Sequence, residues 1–294
     1  MSDLKFRRLH PSLGVEVEGF EPKQPLDDET VAELRRAFDE HAVLVFRNLD
    51  ADEDYQRYLV FTLIGEEPPA ERPEHMHRAG PMLVSNKEEG GGAAPYGRLL
   101  FHCDTMWAEN PQPVISLYGV TVEQPTAPTM FVSMAEGYDT MPEALRDRVE
   151  GLEARHGQED GRYPNRGGDD DVIDTYFADS RSTVTPVLNR HPRTGRSLLY
   201  VSQQCTINIE GLPGDENEAL LEELFQHLYA DERVLAHEWR EGDLVVWDNM
   251  AAQHARGVVN LEDPERTLRK VFGPMRLTER ERSQLPVFSK VAKS

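Results

Sequence analysis

Two short stretches of the chain carry side chains able to bind a metal. In Phe101-His102-Cys103-Asp104-Thr105-Met106-Trp107, an imidazole and a carboxylate stand two residues apart in an apolar, aromatic setting. If this segment is a strand, alternate side chains share a side, so His102 and Asp104 converge while Cys103 turns toward the core. Such a pair is half of a metal site. The missing donor is expected from a distant strand facing this one across the fold. His254, at the end of Trp247-Asp248-Asn249-Met250-Ala251-Ala252-Gln253-His254, is the candidate. Two imidazoles and one carboxylate on one side of an ion, with the other positions open, suit non-haem Fe(II) and O2 chemistry. A lone His-x-Asp is also common as an ordinary core or surface pair, so its company matters.

Arg266 supplies that company. His254 follows the 244–248 strand through a loop, and the spacing from it to Arg266 permits a turn and a return along an adjacent strand. Fe(II) needs electrons from a co-substrate before it activates O2. A 2-oxo acid chelates the ion through its keto and C1 carboxylate oxygens, which leaves its distal carboxylate deep in the fold. A guanidinium meets that group bidentately, and a hydroxyl such as that of Thr129 completes the contact. On a strand, Arg266, Leu268 and Lys270 share one face and Arg269 faces away. Parity thus groups Arg266 with Lys270 and separates it from Arg269. If there is no metal site, Arg266 reads as a surface residue paired with Glu262 or Glu265.

The elements that must position these residues are mostly short strands. Residues 4–20 read as strands around Gly14. Asp27-Asp28 precede a helix whose apolar positions Val31, Leu34 and Phe38 recur at helical spacing. A buried strand over 42–46 and a weaker helix over 52–64 follow, the latter ending near Gly65. Strands are predicted at 82–86, 113–120 and 129–134, and a helix from Pro142 with Leu145, Val149 and Leu152 on one face. Further strands are predicted at 183–188, 197–202, 236–239, 244–248 and 267–273. The segment 216–229 is the clearest helix, with Leu220, Leu221, Leu224, Phe225 and Leu228 in one stripe. The whole predicts a mainly β, closed or sandwiched architecture with flanking helices. Residues 1–294 read as one domain, and the polar stretch at 157–182 as a mobile lid or disorder.

Composition narrows the function classes. The net charge of −21, from 53 acidic and 32 basic residues, argues against affinity for a nucleic-acid backbone. No apolar run is long enough to span a membrane, and the first residues lack a signal-peptide pattern. A cytoplasmic protein acting on a small molecule is the expectation. Two cysteines, Cys103 and Cys205, make neither a disulfide framework nor a Cys-rich zinc site.

Taken together these stretches resemble the TauD/TfdA family of Fe(II)- and 2-oxoglutarate-dependent dioxygenases. The matching segments are Gly14–Val17, Val43–Arg47, Phe101–Trp107, Thr129, Gly137–Pro142, His191–Arg196, Gly242–His254 and Arg266–Lys270. The resemblance implies a double-stranded β-helix (jelly-roll, cupin-like) core and His102, Asp104 and His254 as iron ligands. It implies Thr129 and Arg266 on the 2-oxoglutarate carboxylate, O2 as the second co-substrate, and a dimer or tetramer. Two departures stand out. Lys270 occupies a place where relatives that take sulfonates or carboxylates often have Arg, so a small substrate is implied and an anionic group on it is the expectation to test. Phe101 replaces the usual Trp, a packing change. Asp104 itself excludes the halogenating subclass, which gives up the carboxylate to make room for chloride. Hydroxylation of an unactivated C–H bond, with release of succinate and CO2, is the implied reaction. His75 and His77 in the Glu66–Ala79 excursion, Asn86, Tyr96 and the 157–182 segment are expected to shape the substrate pocket. Two other readings stay open: a cupin-like metal-dependent hydrolase or isomerase, and a non-catalytic jelly-roll binding protein.

Overall fold

A computed structural model describes residues 4–68, 82–87, 94–157 and 182–283. His75, His77 and the expected lid, apart from its ends Gly157 and Ser182, lie outside the described residues. The chain opens with an antiparallel pair, β1 (Lys5–Arg8) and β2 (Val15–Glu18). Asp27 caps α1 (Asp28–His41) by accepting the Thr30 N–H at 2.9 Å, and Leu34, Ala37 and Phe38 form the buried stripe. β3 (Val43–Phe46) follows, then α2 (Glu53–Ile64), which Asp52 caps in the same way. Gly65 ends α2 in the left-handed conformation, φ 77°, open to a residue without Cβ. Next come β4 (Met82–Ser85), β5 (Gly97–His102), β6 (Val114–Val122), β7 (Thr129–Ser133), α3 (Met134–Asp139) and α4 (Glu143–Val149). Pro142 is the N-cap of α4 rather than its first residue, and Leu152 lies past its end.

The second half contains β8 (Glu153–Gly157), β9 (Ser182–Pro186), β10 (Leu188–Arg190), β11 (Ser197–Leu199), β12 (Thr206–Ile209) and α5 (Gly214–Leu228). It closes with β13 (Leu235–His237), β14 (Leu244–Asp248), β15 (Ala252–Val259), β16 (Arg266–Phe272) and α6 (Glu279–Ser283). Among the described residues no helix is long and apolar enough to cross a membrane.

Two sheets make the jelly roll. One has the strand order β1-β2-β3-β14-β6-β16-β4, the other β13-β7-β15-β5. β14 shows how they pack. Val245 and Trp247 point between the sheets, against Val43, Val45, Ile115, Phe131 and Leu268. Leu244 and Val246 point the other way, under α1 and α2, against Leu34, Phe38 and Leu59. A strand buried on both faces reads as a continuous apolar run. On the outer side of the smaller sheet, Phe101, Val132 and Ala255 pack on Leu145 of α4 and on Leu221, Leu224 and Phe225 of α5.

Three strands stand where the sequence pattern predicts none. β8 and β12 pair with each other in polar stretches. β15 occupies what reads as a loop and is the central partner of both β5 and β7. Its Gln253, His254 and Arg256 are buried polar residues, which break the apolar alternation that marks a strand.

His156 on β8 gives the fold an acid-sensitive point. Its ring is fully buried, with nitrogens 3.1 and 2.9 Å from the hydroxyls of Thr206 and Thr185. Burial pushes its pKa down to about 3, against about 6.5 in an unfolded chain. The unfolded state therefore takes up a proton that the folded state refuses. The stability involved is complete above about pH 6.5 and is lost as the pH falls toward 3, at about 1.4 kcal/mol per pH unit. Thermal midpoints recorded from about pH 7 down to about pH 4 should fall more steeply for the wild type than for His156→Gln. Equal slopes would assign the proton to another group.

Candidate metal centre

β5 and β15 run antiparallel with His254 directly opposite His102. Their rings lie 4.1 Å apart between centroids, and Trp247 packs against His254 at 4.8 Å. The Nδ1–H of His102 donates to the Leu100 carbonyl at 2.7 Å. That bond fixes the tautomer and turns the Nε2 lone pair inward. Two sequence-based expectations change here. The second histidine comes from the neighbouring strand of the same sheet, not from a strand across the fold. The strand ends at His102, so alternation does not place Asp104. A turn does: Thr105 adopts φ 57°, and its hydroxyl donates to the Asp104 carbonyl at 2.7 Å.

The Asp104 carboxylate nonetheless arrives beside both rings. Its Oδ1 is 3.6 Å from His102 Nε2 and 4.0 Å from His254 Nε2. Among the described residues these three side chains form the one group with metal-capable atoms all within 4.8 Å of one another. Ligands about 2.1 Å from an ion and at right angles to one another would lie about 3 Å apart, so small side-chain movements would close the set around a single ion. Charge favours this too. Burial opposes ionisation of Asp104, but the Lys270 ammonium and the two imidazoles outweigh it and hold the carboxyl well below its usual range. Burial and the adjacent His102 push His254 well below the ordinary imidazole value, which leaves it neutral. Cys103 turns away into the core as expected, although it lies past the end of β5.

Beside the group, Arg266 is buried on β16. Its Nη2 donates to Thr129 Oγ1 at 3.3 Å and its Nε to the Ala127 carbonyl at 3.3 Å. Trp239 Nε1 donates to the same hydroxyl at 2.9 Å. Burial, with the Arg256 guanidinium nearby, pushes the Arg266 pKa down to about 9, and no described carboxylate offsets it. A buried cation without a counter-ion is a place prepared for an anion. Lys270 shares the inward face, and its Nζ contacts Asp104 Oδ2. Arg269 faces outward, bonding Gln56 Oε1 at 2.8 Å and lying 4.5 Å over the Tyr118 ring.

The family model described as "Taurine catabolism dioxygenase TauD, TfdA family" matches residues 5–272. The chain belongs to this family. It is 29% identical over 264 residues to an alpha-ketoglutarate-dependent 2,4-dichlorophenoxyacetate dioxygenase of Cupriavidus pinatubonensis, covering 84% of this chain and 89% of that one. It is 28% identical over 291 residues to pentalenolactone F synthase of Streptomyces avermitilis, covering 88% and 90%. The crystal structure of a taurine dioxygenase from Burkholderia xenovorans superposes with a TM-score of 0.71 at 26% identity, covering 92% of this chain and 91% of that one. The protein is thus an Fe(II)- and 2-oxoglutarate-dependent oxygenase that uses O2. The hydrolase, isomerase and non-catalytic readings fall away.

Not every expected pocket residue reaches the centre. Asn86 is expected at the substrate, but its amide is committed elsewhere. Its Nδ2 donates to the carbonyls of Asn260, Asp263 and Pro264, and its Oδ1 accepts the Arg266 N–H at 2.9 Å. It ties down the turn before β16. The Tyr96 side chain is exposed, while its carbonyl accepts from Arg256. Trp239 and Arg256 are the residues that the sequence pattern missed. Arg256 donates to the carbonyls of Ala94, Tyr96 and Gly97 at 2.7, 3.2 and 2.9 Å, holding the segment that leads into β5. A signal existed in each case: a buried indole or guanidinium must place its N–H groups.

Mn(II) titrated into the apo protein and followed by electron paramagnetic resonance should report one tight site. His254→Ala should weaken it by about 100-fold, an effect of about 2.7 kcal/mol. Unchanged binding in the variant would put the ion elsewhere.

Proposed function

We propose that the enzyme hydroxylates a C–H bond of a small anionic substrate. In this reading His102, Asp104 and His254 hold Fe(II), and Arg266 with Thr129 takes the distal carboxylate of 2-oxoglutarate. Lys270 takes the anionic group of the substrate. One observation carries the substrate assignment: the Lys270 ammonium stands on the inward face of β16 against the carboxylate at the centre. Anything held for reaction at the metal lies within its field. Among the described residues Lys270 is the cation set against Asp104, while Arg256 and Arg266 neighbour each other. With Arg266 given to 2-oxoglutarate, Lys270 is the charge left to meet an anionic substrate. Two of the related proteins support the reading, since 2,4-dichlorophenoxyacetate is a carboxylate and taurine a sulfonate.

Once bound, Fe(II), 2-oxoglutarate and O2 supply an oxidant able to take hydrogen from an unactivated carbon, with succinate and CO2 as co-products. The chain's own residues bind and aim. Arg266 sets the direction of the 2-oxo acid through two N–H donors, and Trp239 keeps the Thr129 hydroxyl turned toward it. Lys270 is a compact point charge, without the planar fork of Arg. It fits small anionic groups by distance more than by angle. A hydroxyl placed on carbon next to oxygen or sulfur collapses to a carbonyl and releases the heteroatom, so the same centre also serves for bond cleavage.

Two variants separate these roles. Arg266→Met should lose about 3 kcal/mol of 2-oxoglutarate affinity, roughly 100-fold or more, in calorimetry on Mn(II)-loaded protein. The reading of Arg266 is refuted if that affinity is kept. Lys270→Met should keep 2-oxoglutarate binding. In a succinate-release assay over carboxylates, sulfonates, sulfates and their neutral analogues, it should raise KM for the anionic compounds by about 10- to 100-fold. Equal turnover of neutral analogues by the wild type would sink the anionic assignment.

A further inference from the structure

The carboxylate of the triad stands on backbone that no strand supports. β5 pairs with β15 only as far as His102, and Asp104 lies beyond the ladder, next to the left-handed Thr105. In a sheet, the N–H and C=O of such a residue would pair with a neighbouring peptide. Here a side chain takes the place of that peptide. Asn249 Oδ1 accepts the Asp104 N–H at 3.0 Å, and Asn249 Nδ2 donates to the Asp104 carbonyl at 2.9 Å. The same Nδ2 donates to the Gln112 carbonyl at 2.8 Å, closing the far end of the turn. A primary amide presents one acceptor and one donor along an edge, as a peptide does. Its orientation is unambiguous, because the flipped amide would set oxygen against two carbonyls and NH2 against an N–H.

Asn249 is itself held in place. It is fully buried, and its own N–H donates to the Pro113 carbonyl at 3.2 Å. The preceding residue, Asp248, accepts the Met250 N–H at 2.9 Å, faces His191 Nε2 at 3.0 Å and pairs with Arg193. The turn after β14 is thus a rigid base from which one amide reaches the backbone of Asp104.

We propose that Asn249 is a positioning residue for the metal-binding carboxylate, clamping both backbone polar groups of Asp104 so that its side chain meets the two imidazoles. It touches neither metal nor substrate. With the Asp104 backbone clamped, only the two side-chain torsions remain to aim the carboxylate. Without the clamp, a turn starting at the end of a strand swings the ligand away, and the set becomes two imidazoles with a loose third partner. The inference rests on the triad as the metal centre and is independent of the role given to Lys270.

The test compares two buried amides. Gln56 on α2 donates to Ser116 Oγ at 2.9 Å and to the Arg269 carbonyl at 3.2 Å, on the outer face of the larger sheet. Asn249→Ala, Asn249→Ser and Gln56→Ala are measured for thermal midpoint, circular dichroism and Mn(II) affinity by electron paramagnetic resonance. Both Asn249 variants should bind Mn(II) about 10- to 100-fold more weakly while still unfolding cooperatively. Gln56→Ala should lose thermal stability yet keep Mn(II) affinity within about twofold. The serine variant, which retains a small polar group, decides the matter if the alanine variant does not fold. Wild-type Mn(II) affinity in a folded Asn249 variant overturns the proposal. So does an equal loss in Gln56→Ala, since general destabilisation would then be the cause. A wild type that binds no Mn(II) would instead overturn the metal centre itself.

Discussion

The placement of His254 opposite His102 on adjacent antiparallel strands is the constraint on which the rest of the centre depends. Side chains on a strand alternate with a period of two, so a slip of one residue would exchange the two faces of β15. Ala255 would then face the gap between the sheets, and His254 would enter the apolar layer under α5, where Ala255 now packs. The register shifts of the β5–β15 pair begin just beyond this histidine pair, between His254 and Arg256. The ladder ends on the pair that brings the two rings together and is irregular along the rest of its length.

Charge is distributed against the overall trend of the chain. The sequence carries a net charge of −21, yet Arg256 and Arg266 are buried inside the jelly roll and Lys270 is largely covered. The long-range field does not draw an anionic co-substrate in, and at physiological salt it is screened within about 8 Å. Attraction must be local, from cations buried where water is scarce and each charge acts strongly. Keeping Arg266 buried without a described carboxylate costs stability.

Buried polar side chains do much of the positioning in this protein, and most of them act on backbone. Asn86 secures the turn before β16, Arg256 the approach to β5, and Asn249 the turn after β5. Each replaces a stretch of sheet ladder that the chain geometry interrupts. The side chains of the candidate centre are thereby set on irregular backbone as firmly as on a strand. The arrangement joins a loop-borne carboxylate to strand-borne imidazoles without a continuous sheet between them.

Which side chains share a face was legible from the amino-acid order. His102, Asp104 and His254 stood out by donor type, Arg266 over Arg269 by strand parity, and α1 and α5 by their apolar period, because spacing along a chain directly sets which side chains share a face. The apolar run over 42–46 declared a buried strand, found as β3. Partnership was not legible. β15 looked like a loop because Gln253, His254 and Arg256 are polar, and they are tolerable inside only through partners that folding brings to them. Asp104 was placed by strand alternation, whereas it sits in a turn held by an amide 145 residues away. Asn86 looked available to a substrate until the 260–264 backbone used up its hydrogen bonds. The sequence by itself determined which groups could do the chemistry. The tertiary structure alone decided which of them are free to do it, because a buried polar group's task is set by whichever distant partner satisfies it.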